Sequence, residues 1–445
     1  MALPYRQTVL GLALLAACSA APAMNLLQAY QAALAQDANV RAGRAALASG
    51  MERLPQARSQ LLPAVSANIG RNQNQLATTS TNLLGNSSVS QDSYYSFNRS
   101  LSLRQPLFNM PRYFQLKQAE DLVQESVANY DREVQNLVVR VGGAYMEALL
   151  AAESLKLVQA QKRQYTAMVD AARKALVAGT GTRTDIDDAQ SRLDMAQANE
   201  LEARQNEDYT RKQLELMVNQ PLSALSGLGA QGVSAVSQMV NALPHWVDLA
   251  HTHSPEIRAL SARLDAAEKE ISKAQSAHAP TLDAVAQWSD SGNENVTRLN
   301  SRFENKAIGF QLSVPLYQGG AVNSQVRQAV AEKTRVEESL ESLRRDLNLR
   351  VHKEYRGVTE GLLRIRALEQ ALRSATQLLD STQKSQRAGV RTMLDVLNAE
   401  QQLVTVNRDL IQARYVYLMS RLRLSSLAGV DAVTALTEIN QAFAP

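Results

Sequence analysis

Cysteine is almost absent: the 445 residues hold a single one, Cys18, near the amino terminus. A disulfide framework is thereby excluded, because a bridge needs two thiols. Aromatic residues contribute only 5% and prolines number 12, while Ala, Leu, Gln, Glu, Lys and Arg fill long tracts. That composition fits long helices with a large surface rather than a thick core. Beyond the amino terminus no stretch reaches the roughly 18 uninterrupted apolar residues a membrane helix requires, so any passage through lipid has to be made by strands. Charge of one sign is also lacking. The 47 basic and 43 acidic side chains leave a formal +4 spread over the whole chain, without a Lys/Arg block that could track phosphates, so nucleic acid is not an expected partner. The five histidines, His245, His251, His253, His278 and His352, form no His-Glu-x-x-His spacing. His251 and His253, two apart, point to different sides of a helix and read as surface residues near its start. No nucleophile elbow, phosphate loop or dinucleotide turn is present, so neither an enzyme nor a cofactor or metal is expected.

What is present begins with a secretory signal over residues 1–23. Arg6 supplies its basic region, Val9 to Ala17 its apolar run, and Ala21-Pro22-Ala23 a small-residue cleavage site. Cleavage there would remove Cys18. Leu15-Ala16-Ala17-Cys18 also fits a bacterial lipobox, in which Cys18 would carry an acyl anchor.

The rest of the chain is written twice, at a period of about 210 residues, far beyond solenoid repeats. Val40-Arg41-Ala42 and Pro63 match Ile257-Arg258-Ala259 and Pro280, and Pro106-Leu107-Phe108 matches Pro315-Leu316-Tyr317. Gln118-Ala119 matches Gln328-Ala329, and Val141 and Tyr145 match Val351 and Tyr355. The sharpest correspondence sets Thr182, Asp185, Ala189 and Leu193 against Thr392, Asp395, Ala399 and Leu403. The halves are taken as 24–234 and 235–445, each reading helix, strand, loop, strand, very long helix, turn, long helix.

No proline interrupts the chain between Pro111 and Pro221 or between Pro315 and Pro445, which permits unbroken helices. Helices are expected at 112–177, 183–220, 321–387 and 392–428. In the first, Leu116, Ala119, Val123, Val127, Tyr130, Val134, Leu137 and Val141 alternate spacings of three and four, a period of about 3.5 that belongs to coiled-coil packing. A helix of that length spans on the order of 100 Å.

Strands are expected at 62–74, 94–108, 280–290 and 305–317, with Ser/Thr/Asn-rich loops at 75–93 and 291–304. Tyr95, Phe97, Leu101, Leu103 and Leu107 share one face against Ser96, Asn98, Ser100 and Ser102, with Arg99 the exception on the apolar side. Ile308, Phe310, Leu312, Val314 and Leu316 alternate likewise, with Lys306 misplaced at the edge. A period of two with one apolar face is the pattern of a lipid-facing barrel strand. Four strands cannot close a barrel, and an open edge in lipid leaves backbone groups unpaired at several kcal/mol each. Two chains would give eight strands, filled by side chains; three give twelve, with a lumen. The same symmetry makes twelve helical segments a hollow cylinder.

With the duplication, the paired Pro-Leu-Phe/Tyr strand ends and two Ala-Gly-x-x-Thr-x-x-Asp tips, the chain resembles the TolC family of outer-membrane factors over essentially its whole mature length. The second tip, Gly389-Val390-Arg391-Thr392-Met393-Leu394-Asp395-Val396-Leu397-Asn398-Ala399, is most similar to members serving type I protein secretion. The resemblance implies an α+β membrane protein and a homotrimer. Its twelve-stranded barrel lies in the lipid of the cell outer membrane, and a long periplasmic α-helical barrel continues it. The far tip stays closed until a periplasmic adaptor and an inner-membrane ABC transporter engage. It also implies a latch in which Arg391 meets Thr184 and Asp185, with Gln386 standing where relatives join a tyrosine to the latch. An acidic constriction is implied at Asp395, with Asn398 in place of a second carboxylate. The adaptor-contacting tips are Gly179, Thr180, Gly181, Thr182 and Arg183, and Gly389, Val390, Thr392 and Met393. Gly179 and Gly389 also read as helix C-caps, and Asp185 and Asp395 as carboxylates favoured at a helix start. Two other functions stay open: the outer-membrane part of a proton-driven efflux pump, and a secreted coiled-coil scaffold with no pore.

Overall fold

The computed structural model describes residues 23–81, 85, 87–222, 224–229, 232–236, 241–293 and 301–443. Residues 1–22 of the signal segment, Cys18 among them, lie outside these. Helices α1 (Leu26–Gln36), α2 (Ala38–Met51) and α3 (Arg53–Ser59) lead into strands β1 (Ala64–Thr81) and β2 (Ser87–Phe108), then α4 (Met110–Val177) and α5 (Arg183–Val218). The order recurs with α6 (Leu243–His253), α7 (Pro255–Gln275), β3 (Thr281–Asn293), β4 (Ser301–Ser313), α8 (Ala321–Arg387) and α9 (Met393–Leu427), closed by α10 (Ala432–Asn440). Helix α4 runs 68 residues and α8 67 without a break: the one proline in either, Pro111, stands in the first turn of α4, where its missing N–H costs no helical bond. None of the described helices is apolar enough to cross a membrane.

The chain forms two compact units. One, built from Ala45–Ala128 and Arg258–Glu341, contains a single antiparallel sheet in the order β1-β2-β3-β4. Pairing of β2 with β3 joins the two halves of the sequence, from Ser96↔Asn293 to Phe108↔Leu282 with an irregularity at Pro106. That leaves β1 and β4 as edges. Cross-strand rows put the apolar residues in register on one face: Val65, Leu103, Ala286 and Ile308 form one row, and Ala67, Leu101, Trp288 and Lys306 the next. The opposite face carries Ser66, Ser102 and Gln287.

Most strand boundaries differ from the expectation, β1 and β3 beginning at Ala64 and Thr281 rather than at 62 and 280. Residues 75–81 and 87–93 are strand, not loop, paired from Gln75↔Ser93 to Thr81↔Ser87; a run polar on both faces keeps its ladder where both faces are wet. Residues 291–293 and 301–304 are likewise strand. Strand β4 ends at Ser313, opposite Thr281, so Val314 to Tyr317 lie outside it: Pro280 precedes β3 and Pro315 has no N–H to donate.

The other unit, Met1–Arg44, Asn129–Ile257 and Ser342–Pro445, is helical in its described part. Its core includes Leu137, Val141, Leu347, Val351, Leu418 and Leu422, all within 2% of full burial. Tyr145 is wholly buried there; its Oη lies 2.9 Å from the carbonyl oxygens of both Met24 and Ser226, and Phe443 packs edge-on at 5.4 Å. Burial pushes its phenol pKa up. His251 and His253 sit in the last turn of α6 rather than at a helix start, and His251 Nε2 contacts Asn348 Oδ1 at 2.7 Å.

Candidate gate at the helical tips

Helix α4 stops because the chain reverses through Gly179, whose φ of +73° an L side chain adopts only at a cost of about 1–2 kcal/mol. The Thr180 N–H donates back to the Ala175 carbonyl at 2.9 Å, satisfying an orphan acceptor of the last turn. The second copy repeats this at Gly389, φ +76°, with Val390 N–H on Ser385 O at 2.9 Å. The half-buried Gln386 gives its backbone carbonyl to Gly389 N–H. Thr182 and Thr392 then cap α5 and α9. Asp185 N–H donates to Thr182 Oγ1, while Asp185 Oδ2 accepts from Thr182 N–H at 2.9 Å and from its hydroxyl at 2.7 Å. Asp395 and Thr392 reproduce the box at 3.0 and 2.9 Å. Both caps are thus built, each worth about 1 kcal/mol to its helix.

The copies differ at one decisive place. Where the second tip has Arg391, the first has Gly181. Arg391 Nη1 lies 3.7 Å from Asp395 Oδ1, so Asp395 spends one oxygen on its cap and turns the other to Arg391. The Thr392 backbone N–H, then its hydroxyl, and then Arg391 hold the Asp395 carboxyl below the ordinary range. The cap bonds of Asp185 also fall on Oδ2 alone, and no arginine of its own tip stands four residues before it. Thr184 is exposed in the first turn of α5, and Arg183 leans onto Asp187 at 3.4 Å. Within one chain Arg391 therefore meets Asp395 and is not brought to Thr184 or Asp185. Asn398 accepts a hydrogen bond of 2.9 Å from Arg192 Nη2, a tie between α5 and α9 that spacing along the sequence could not show.

A buried cluster fixes the tips: Tyr165, Met168 and Val169 of α4, Ala189, Leu193 and Ala196 of α5, and Val396 and Leu397 of α9, with Leu379 and Met393 packed against them. Glu400 lies one turn beyond Val396, 8% exposed, with Oε2 buried and unpaired among the described residues. Burial alone raises its pKa above 4.5. Ionisation then opposes folding: the contribution is full below pH 4.5 and is lost as pH rises through the higher folded value. Glu400→Gln should remove that slope. The midpoint of helix melting, followed by circular dichroism, should fall less between pH 4.5 and 8 in the variant than in the wild type; parallel curves would refute the assignment. Among the described residues no cluster of His, Cys, Asp and Glu could hold a metal.

The sequence profile of outer membrane efflux proteins matches residues 29–220 and 246–430, one stretch in each half. This chain belongs to that family. It is 34% identical to the alkaline protease secretion protein AprF of Pseudomonas aeruginosa over 92% of this chain and 85% of that protein. It is 30% identical to the proteases secretion protein PrtF of Dickeya chrysanthemi, over 92% and 89%. The outer membrane protein TolC of Escherichia coli is 29% identical over 98% of this chain and 88% of its own length. Among solved structures, CusC superposes with a TM-score of 0.77 at 16% identity over 92% of each chain, and the open-state MtrE channel of Neisseria gonorrhoeae with 0.74 at 19% over 91% and 89%. The fold is that of these outer-membrane channels. The family member described here is an outer-membrane export channel, in a family of channels and not of enzymes.

Proposed function

We propose that three copies of this chain form the exit duct of a type I protein secretion system, receiving a polypeptide from an inner-membrane ABC transporter through a periplasmic adaptor. The observation that carries the assembly is the pair of unpartnered sheet edges, β1 and β4, flanking a sheet with one face apolar from Leu282 and Leu312 up to Leu101 and Trp288. In lipid those edges require neighbours, and twelve strands with a lumen are the smallest closed ring that conducts. The protein cargo is favoured by the likeness to AprF and PrtF, both named for protease secretion. Residues 24–234 and 235–445 serve as two copies of one design behind a signal at 1–23. The tip residues Gly179–Arg183, and Gly389, Val390, Thr392 and Met393, meet the adaptor.

In the resting duct Arg391 exchanges its partner: it leaves Asp395 of its own tip for Thr184 and Asp185, the carboxylate with no arginine four residues before it. Asp395 lines the constriction with Asn398 beside it.

Expression in a Gram-negative strain lacking its own secretion channel, but keeping an ABC transporter, adaptor and exported protease, should restore extracellular protease. Restored resistance to small toxic compounds without protease export would overturn the cargo and favour the efflux reading. A soluble, non-conducting product would overturn the channel and favour a scaffold.

A further inference from the structure

The apolar face of the sheet does not stay apolar. From Leu282 and Leu312 up to Ala67, Leu101 and Trp288 it is almost free of charge, over about 20 Å at 3.4 Å per residue. Lys306 closes that last row. The next row is Ile69, Arg99, Asp290 and Glu304, and the one after it Arg71, Phe97, Gly292 and Arg302. These rows lie at the hairpin end of the sheet, away from the ends at Ala64, Phe108, Thr281 and Ser313, where the strands join the helices. Arg99, the exception in the alternation, is therefore one member of a charged belt rather than an isolated fault.

The belt is not neutral. Asp290 is buried between two arginines, Arg302 with Nε 2.8 Å from Oδ1 and Arg99 with Nη1 3.9 Å from Oδ2. Lys306 Nζ lies 3.1 Å from Glu304, whose other neighbour is the Trp288 indole at 3.2 Å. The Arg71 guanidinium stacks over the Tyr95 ring at 4.9 Å, and Arg99 over Phe97 at 5.4 Å. Four cations thus face two carboxylates, and the cations stay open: Arg99 is 57% exposed, Arg302 69% and Lys306 71%. On a lipid-facing surface charge is tolerated near the interface and not at mid-membrane. Aromatic rings at the same level are the usual anchors there. An excess of cations set among rings at that depth attracts anionic headgroups.

We propose that Arg71, Arg99, Arg302 and Lys306 form a docking belt for the phosphorylated headgroup of the glycolipid that makes up the outer leaflet. Each arginine can chelate phosphate oxygens with two parallel N–H bonds, and Asp290 holds Arg99 and Arg302 at a fixed spacing. This rests on the trimeric barrel proposed above, in which β4 of one chain abuts β1 of the next and the belt becomes a continuous ring.

The test uses the full-length trimer purified in detergent and native mass spectrometry with bisphosphorylated lipid A as probe. Bound lipid A should survive on the wild type and be displaced by salt; lipid A with both phosphates removed should bind far more weakly. The variant Arg71→Gln/Arg99→Gln/Lys306→Gln keeps Arg302 on Asp290, and should bind the phosphorylated lipid about a hundredfold more weakly, roughly fivefold per cation. Trimer mass and bilayer conductance are read on the same samples. A conducting trimer that binds both lipids equally, or a triple variant that binds like the wild type, overturns the belt. So does full competition by low-millimolar inorganic phosphate, which would make it an ion site and not a lipid one. Absence of any trimer, in wild type as in variant, instead strikes the channel assembly.

Discussion

Phe310→Arg should abolish outer-membrane assembly, while Gln311→Arg, its neighbour in the chain, should leave assembly intact. Phe310 is 76% exposed on the face it shares with Ile308 and Leu312, which are 91% and 64% exposed. Solvent exposure that large for three successive outward residues marks a face that something covers, and on a strand of an outer-membrane channel that cover is lipid. Arginine on a lipid-facing position near mid-membrane costs roughly 2–4 kcal/mol. Repeated three times around a trimer this becomes about 6–12 kcal/mol, comparable to the whole stability of an ordinary domain. Gln311 points to the other face, directly across from Asp283 of β3. Asp283 already binds Arg104 through Oδ2, at 2.5 Å from Nη2, and its buried Oδ1 has no partner among the described residues. A guanidinium at 311 would stand in the lumen next to that oxygen, so the substitution is neutral or mildly stabilising. Outer-membrane fractionation and the trimer band on non-boiled gels decide the matter. Equal behaviour of the two variants would mean that the faces have been assigned wrongly.

The same contrast shows how far the sequence could be read and where it stopped. The long helices were legible because proline is absent over more than a hundred residues in each half, and a missing breaker is as informative as a pattern. The apolar face was legible because alternation survives the change from one strand to the next. The strand tips were not. In residues 75–81 and 87–93 both faces are mostly Ser, Thr or Gln, with Leu76 and Val89 isolated, so no alternation marks the ladder, although Thr79 pairs with Val89 and Ser80 with Ser88. Arg99 looked like an error because its meaning lies in Asp290, 191 residues away in sequence and directly opposite in register. The tips divide in the same way. Glycine followed by Thr-x-x-Asp announces a C-cap and an N-cap from local chemistry alone. The Arg192 bond to Asn398 and the buried Oε2 of Glu400 depend on helices brought together by packing, and no local spacing encodes them.

Asp185→Asn and Arg391→Ala should each raise single-channel conductance of the purified trimer in planar bilayers, and the double variant should add nothing to either. Asparagine at 185 keeps an oxygen for the Thr182 cap and removes only the charge, so a change in conductance reports the latch rather than an unravelled helix start. An exposed arginine–carboxylate pair is worth about 1 kcal/mol. Three such pairs broken together shift a concerted closed-to-open equilibrium by about 3 kcal/mol, roughly a hundredfold. The pairs are weak enough singly for an adaptor to displace and strong enough in threes to keep the duct shut. Because Arg391 lies 3.7 Å from Asp395 within its own tip, Asp395→Asn is the necessary control. If Arg391 acted only by bracing that tip, Asp395→Asn would open the channel as far as Arg391→Ala does, and Asp185→Asn would leave it closed. If the arginine reaches across to Asp185, removing Asp395 frees it from a competitor and the channel closes more tightly. The two readings therefore predict conductance changes of opposite sign for one substitution, and a wild-type trace from Asp185→Asn would dismiss the latch at these positions.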